Sequence, residues 1–425
     1  MHATIAIWLF GWLAAASWAA PAQPATRPAP GPLGGQIVAD PDRPAGLIRH
    51  GGGPVYLCGP GDPEGFLYRG RRNADGTREG DQMKLIAKLK AHGGNCIYVQ
   101  AWRGPGGDGD RTQNPFVDAD PTKGLSKAVL DQWETWFAEM DKAGIVIFLF
   151  LYDDGAVPRN VPAFRTGDAV GPAERKYLHG LVDRFKHHRN LIWCIKEEYR
   201  ESLSRRRASR IAAAIRAADE HGHVIANHQN NGVRFDHPDD PCIDQFAIQY
   251  NAATAEKLHA GVLAAWKQSR GRYGLNLAEA AGHMTDLRRK NWAIGMAGAH
   301  AMVIGMDIAG TAPADLAACR IQQRFFESTD FHTMTPHDEL AAGATRYVLA
   351  DAPRSCIAYT DRAGGAVGVR KLPAGRYDLT WVDCATGATK RQDGVTVAAG
   401  DGSFPRPPGI GAECAVWIRR ATGRE

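Results

Sequence analysis

Cys-x-x-Cys is missing from this sequence, and so is a glycine-rich loop between the first apolar strand and its helix. The eight cysteines, at 58, 96, 194, 242, 319, 356, 384 and 414, are widely spaced, which speaks against a cysteine-held zinc. Most sit inside apolar runs such as "VYLCG" and "LIWCI", where a thiol serves as a small core hydrophobe. Cys356, Cys384 and Cys414 share one C-terminal region, so one disulfide is open there. "GPGGDGD" (104–110) follows Trp-Arg rather than a strand-to-helix turn, a weak cradle for phosphate. A net charge of +5, from 51 basic and 46 acidic residues mixed along 425 positions, gives no broad basic field for nucleic acid. The densest basic run, Arg205-Arg206-Arg207 with Arg210, reads as a solvated helix face, with a phosphate patch as the other reading. After residue 20 no apolar run is long enough to span a bilayer.

What is there begins at the N-terminus. "TIAIWLFGWLAAASWAA" (4–20) carries no charge and runs into small residues, then into the Pro/Ala-rich "PAQPATRPAPGP". This reads as a cleaved secretory signal over residues 1–22, although no Lys or Arg precedes the apolar stretch, so an uncleaved anchor stays open. A linker over 23–47 follows. The expected place is secreted or periplasmic.

Beyond the linker, short apolar strands alternate with amphipathic helices. Strands are expected at 55–59, 95–101, 145–151, 191–196, 223–227, 245–250, 274–278 and 301–306. Their unalternated apolar character suits parallel strands covered on both faces. Helical spacing fills nearly every gap; Ser126 is a natural N-cap and Gly144 a stop for one of them. "HQNNGVRFDHPDDPCID" has no helical period and reads as a long loop. Eight strands within about 280 residues indicate a (β/α)8 TIM barrel over 48–335, with an open doubly wound sheet as rival. From 343 to 422 the period becomes two, broken by "RAGG", "LPAG" and "ATGA". That is a small antiparallel β-sandwich.

In such a barrel, chemistry sits just past the C-terminal strand ends. Read that way, the ends supply Asp62 and Glu64, Trp102 and Arg103, Tyr152, Asp153 and Asp154, Glu197 and Glu198, His228, Tyr250, Glu279 and His283, and Asp307. The abrupt passage from "LIWCI" to "KEE" is then a buried strand reaching an open polar face. Strands four and seven stand on roughly opposite sides of the ring, so Glu198 and Glu279 can face one another. Two such carboxylates suffice to break a glycosidic bond, one protonating the leaving oxygen and the other attacking carbon or activating water. Trp102 and Tyr152 can stack on sugar faces. Asp62, Arg103, Asp153, Glu197, His228, Tyr250 and His283 are candidate substrate contacts.

Trp193-x-x-x-x-Glu198 and the Ala-Glu279-Ala after strand seven resemble the clan of retaining TIM-barrel glycoside hydrolases. The resemblance implies acid/base chemistry at Glu198 and a nucleophile at Glu279. "GGPVYLCGPGD" (52–62), "HHRNLIWCIKEEY" (187–199) and the C-terminal sandwich are similar to the apiosidase-like group, whose sandwich is named for collagen binding. It implies a secreted hydrolase acting on a polysaccharide or oligosaccharide, without metal or cofactor. In many relatives the strand-four acid is Asp and follows Asn; here it is Glu198, and Glu197 stands in the Asn place.

Each residue has a plainer reading too. Glu198 and Glu279 can open helices, Glu197 can pair with Lys196 or Arg200, Asp153 and Asp154 can form a solvated turn, and the aromatics can be core. The alternative for the whole chain is a non-catalytic barrel that binds carbohydrate or matrix protein.

Overall fold

The computed structural model describes residues 31–60, 65–280, 286–301 and 307–421. The expected signal segment, Asp62, Glu64, His283 and most of the expected strand 301–306 lie outside the described residues.

Seven parallel strands form one curled sheet in sequence order: Cys96–Gln100, Val146–Phe150, Leu191–Cys194, Ile225–Gln229, Gln245–Tyr250, Gly274–Ala280 and His300–Ala301. The ladder does not close fully. The expected first strand, 55–59, is a correction. Pro54–Val55 pairs antiparallel with Leu47–Arg49 in a three-stranded sheet that also holds Ile37–Ala39. Residues 56–59 still occupy the eighth place in the ring. On one side Gly59 donates to the Ala301 carbonyl and Ala301 to that of Leu57. On the other side the Asn95 side chain takes over ladder work, accepting from Cys58 N–H at 2.8 Å and donating to the Tyr56 carbonyl at 2.7 Å. A side-chain amide therefore stitches the seam where a strand was expected.

Alternation along the strands divides the core in two. Tyr98, Phe148, Phe150, Ile192, Cys194, Ala226, Ala247 and Ala278 fill the barrel interior. Their neighbours Ile97, Val99, Leu149, Trp193, Ile225, Phe246 and Ile248 face the helices. Both faces are apolar because helices cover the sheet. These are α1 (Gln82–His92), α2 (Lys127–Ala143), α3 (Pro172–Phe185), α4 (Arg205–Ala218), α5 (Ala255–Ser269), α6 (Leu287–Met296) and α7 (Pro313–Glu327). The expected stop signals hold: Ser126 accepts from Val129 N–H, and Gly144 ends α2 at φ 71°. The stretch after Gln229 is a loop, as its composition indicates. No helix of the described residues is long and apolar enough to cross a membrane. One basic residue of α4 departs from the solvated-face reading. Arg207 is buried and donates to Glu174 at 2.8 Å and to the Phe164 and Gly167 carbonyls at 2.7 Å.

The C-terminal region is antiparallel, with a six-stranded and a three-stranded sheet. Strand Ser355–Thr360 is buried throughout, and its alternation explains why. Cys356 and Ala358 face the core between the two sheets. Ile357 and Tyr359 join the core of the barrel helices. Trp292 of α6 stacks on Tyr359 with centroids 5.4 Å apart and planes 9° from parallel. His259 of α5 lies on Tyr347 and pairs with Asp338 at 2.6 Å. Arg288 meets Glu413 at 2.7 Å. The open disulfide is not formed, since all eight cysteines are free. Cys356 pairs in register with Ile418 and Cys414 with Thr360. That offset is about 13 Å along the strands, beyond a disulfide's reach.

Trp292→Ala removes an indole shared by barrel and C-terminal sheet. We expect a loss of about 3–5 kcal/mol, read as a lower urea midpoint with both regions still unfolding in one transition.

Candidate active site

The alternation that points Tyr98, Cys194, Ala226 and Ala247 into the barrel points Gln100, Lys196, His228 and Gln249 the same way, one step nearer the C-terminal end. There the apolar interior gives way to a network of buried polar groups. Gln100 Nε2 donates to Asp153 Oδ1 at 2.6 Å and also to Glu197 Oε2. Arg103 Nε donates to Gln100 Oε1 at 2.9 Å and lies 3.6 Å from Asp153 Oδ2. The Lys196 ammonium donates to the carbonyls of Asp153 and Glu197. Burial brings its pKa down to about 8, against the pull of Glu197 and the neighbouring acids. Burial, and then the Asp153 charge, hold the Glu197 carboxyl well above the ordinary range. The shift favours the protonated form of Glu197 in this network.

Glu198 stands one residue further on, half-buried, in the left-handed region at φ 41° and ψ 48°. That backbone is unusual for a side-chain-bearing residue and collects at functional sites. His228 holds it there: its Nδ1 accepts from Glu198 N–H at 3.0 Å. Burial, then the Lys196 charge, bring His228 down to about 3, so the ring is neutral. With Nδ1 accepting, the proton sits on Nε2, 3.9 Å from Glu279 Oε2. Glu279 also accepts from Gln249 Nε2 at 2.9 Å. Gln249 also lies beside Glu198, whose carboxyl feels the charge of Glu279. Burial, a hydrogen bond with Glu201 and that charge raise Glu198 to about 7. Asp154, Glu198 and Glu201 gather within 4.8 Å of one another at the rim.

Of the expected site residues, the structure brings together Glu197, Glu198, His228, Glu279, Asp153 and Arg103. Arg103 and Asp153 lie in the floor, 6% and 0% exposed, where they fix Gln100. Three others it places elsewhere. Trp102 is fully buried against Phe116, Phe164 and Tyr177, with its indole N–H on the Gly104 carbonyl at 2.6 Å. Tyr152 is equally buried and donates to Glu174 Oε1 at 3.1 Å. The Tyr250 ring packs over Gly261 of α5. Tyr250 follows the outward parity of its strand, whereas Trp102 and Tyr152 lie past their strand ends at positions that alternation would turn inward, and both pack into the barrel–helix layer. Asp307, outside the cluster, caps its own turn by accepting from Ala309 and Gly310 N–H. Asp62 and His283 lie outside the described residues. Reading just past each strand missed Gln100, Lys196, Gln249 and Tyr98, whose phenol lies beside Glu197 and Glu279. Inward parity carried along each strand and just past its end is the signal that finds them.

The clearest cavity lies elsewhere. About 360 Å³ in volume, it is lined by Tyr56, Trp266, His300, Phe331 and His332, among others, and includes neither glutamate. The convergent carboxyls and their shifted protonation mark the site more strongly than volume does.

No family profile matches the chain, and no curated protein is similar to it in sequence. Solved structures do match. One named a glycoside hydrolase superposes with a TM-score of 0.68 over 91% of this chain and 97% of its own, at 13% identity. Another, from Bacteroides vulgatus and named a family 5 glycoside hydrolase, gives 0.66 over 92% and 94%, at 14% identity. At such identity the likeness is one of fold, and it extends through nearly the whole chain.

The geometry fixes a sign for Glu198. Glu201→Gln removes a neighbour that raises its pKa, and Gln249→Ala removes a donor that lowers it. Carboxyl-13C titration of glutamate-labelled protein, with Glu198→Gln for assignment, is expected to show the Glu198 midpoint move below about 7 in the first variant and above it in the second.

Proposed function

We propose that this protein is a glycoside hydrolase in which Glu198 is the proton donor and Glu279 the nucleophile. One observation carries the reading: the two carboxyls meet around Gln249, which donates to Glu279 at 2.9 Å and lies beside Glu198, and the Glu198 carboxyl feels the Glu279 charge. Residues 81 positions apart in the chain thereby meet at one point, one raised to about 7 and the other facing a neutral imidazole. The fold shared with structures named glycoside hydrolases is in keeping with this.

In the mechanism, Glu198 passes its proton to the glycosidic oxygen as the bond to the anomeric carbon breaks. A Glu279 oxygen takes up that carbon, giving a glycosyl ester. Water then attacks the same carbon, surrendering a proton to Glu198 and releasing Glu279. The amide beside both favours the short carboxyl separation of retaining enzymes, roughly 5–5.5 Å. Gln249 Nε2–H donates to Glu279 Oε1 at 2.9 Å, and His228 Nε2 lies 3.9 Å from the other oxygen. Glu197, in the place where the resembled family carries Asn, anchors Gln100 beneath the site. The substrate is a polysaccharide or oligosaccharide met outside the cytoplasm, an assignment resting on the apolar N-terminal stretch. The C-terminal sheets act as a sandwich that braces α5 and α6.

Glu198→Gln and Glu279→Gln are each expected to lower kcat/KM on unactivated oligosaccharides by about 10²–10⁴-fold. A dinitrophenyl glycoside separates the roles, because its leaving group needs no proton: Glu198→Gln should keep cleaving it to the glycosyl ester, and Glu279→Gln should not. Full turnover in both variants overturns the assignment. The wild-type profile should fall as pH rises through about 7, where Glu198 loses its proton, and proton NMR of the first product should show the retained anomer.

A further inference from the structure

A second cluster of ligand-type side chains lies at the other end of the barrel. Glu134 projects from α2, and His187 and His188 follow α3 in the turn that leads into strand Leu191–Cys194. Glu134 Oε1 is 2.9 Å from His187 Nε2 and 3.2 Å from His188 Nε2. All three ligand atoms lie within 4.8 Å of one another. Ligands held about 2.0–2.1 Å from a tetrahedral zinc sit about 3.3 Å apart, so both carboxylate–imidazole separations match edges of such a polyhedron.

The second observation concerns His188. Its side chain is 3% exposed, yet Nε2 has no hydrogen-bond partner and is aimed at the cluster. A buried polar atom left in this state costs free energy unless something completes it. The ring is fixed by Phe137 and Phe185, and its carbonyl accepts from His223 Nε2 at 2.8 Å. Glu134 has its oxygens divided: Oε1 faces the two imidazoles, while Oε2 is 3.4 Å from Arg184 Nε. Arg184 holds Asp131 as well, at 3.0 Å. It orients the carboxylate from behind, as outer partners of metal ligands do. The turn is pinned to α2 by Asn190, whose backbone N–H donates to Asp141 Oδ1 at 2.7 Å. His187 is 55% exposed and leaves an entry path.

We propose that Glu134, His187 and His188 form a zinc site that clamps α2 to the approach of the strand bearing Glu197 and Glu198. Two imidazoles and one carboxylate suit Zn2+, with water in the fourth position. The site shares no residue with the proposed hydrolytic centre, and either can fail alone.

The test uses the full chain, stripped with chelator and dialysed against micromolar ZnCl2, with metal counted by plasma emission. Cobalt chloride gives a visible spectrum that reports coordination number. His187→Ala suits the test because that side chain is exposed, with circular dichroism as the check on folding. The wild type is expected to retain one more zinc than His187→Ala, to show a four-coordinate cobalt spectrum, and to melt higher with ZnCl2 than without. The variant should show no such rise in Tm, and Glu134→Gln should bind zinc about tenfold or more weakly. Equal zinc content in wild type and His187→Ala, or no binding by the wild type at micromolar zinc, overturns the proposal and leaves the cluster a histidine–glutamate ion pair.

Discussion

A charged group carried inside a barrel must find a partner or give up its charge, because desolvation there costs several kcal/mol per ion. The upper end of this barrel is organised by that constraint. Lys196, Glu197 and Asp153 arrive together, each too buried for water to satisfy. Backbone carbonyls take the ammonium, Gln100 takes both carboxyls, and burial with the Asp153 charge raises the Glu197 pKa. Gln100 is held in turn by Arg103. The result is a rigid polar floor on which Glu198 is presented, half in solvent, with its acidity reset by its surroundings. His228 links the two levels. It is neutral because it is buried, and its neutrality lets one nitrogen hold the Glu198 backbone while the other addresses Glu279.

Much of this arrangement was legible in the residues. The switch from "LIWCI" to "KEE" located the open end of the barrel, and "NLAEA" supplied the opposing acid. Ser126 and Gly144 bounded their helix, because caps act through local geometry that neighbouring sequence encodes. The aromatic residues were not legible. Trp102 and Tyr152 stand two residues past inward-facing neighbours, yet the chain turns after the strand and each packs among the helices. Such a residue reads the same in a string of letters whether it turns toward substrate or toward Phe116 and Tyr177. The first strand failed for a different reason. At Asn95 one main-chain bond to the Cys58 carbonyl is joined by two side-chain hydrogen bonds in place of a regular ladder, and no periodicity signals that. Gln249 escaped notice because it lies inside a strand, where an amide looks like an interruption rather than a bridge.

The C-terminal sheet was legible as strands but not as a neighbour. Period-two spacing sorted Cys356 and Ala358 from Ile357 and Tyr359 without saying that both sets would be covered. Both sides are apolar because the sheet lies between a smaller sheet and two barrel helices. Stacking of Trp292 on Tyr359 and of His259 on Tyr347 makes that contact specific rather than merely greasy.

This two-sided sheet bears on how such a chain can diverge. A module attached by a linker can be shuffled between genes, since nothing it leaves behind is uncovered. Here the crossover point that composition suggests, near the last barrel helix, cuts through a continuous interior. Recombination there would strand an indole and a row of aliphatic side chains in water. The inheritable unit is therefore the barrel with its sheet, and new specificities should arise by change in the loops at the open end rather than by exchange of the C-terminal part.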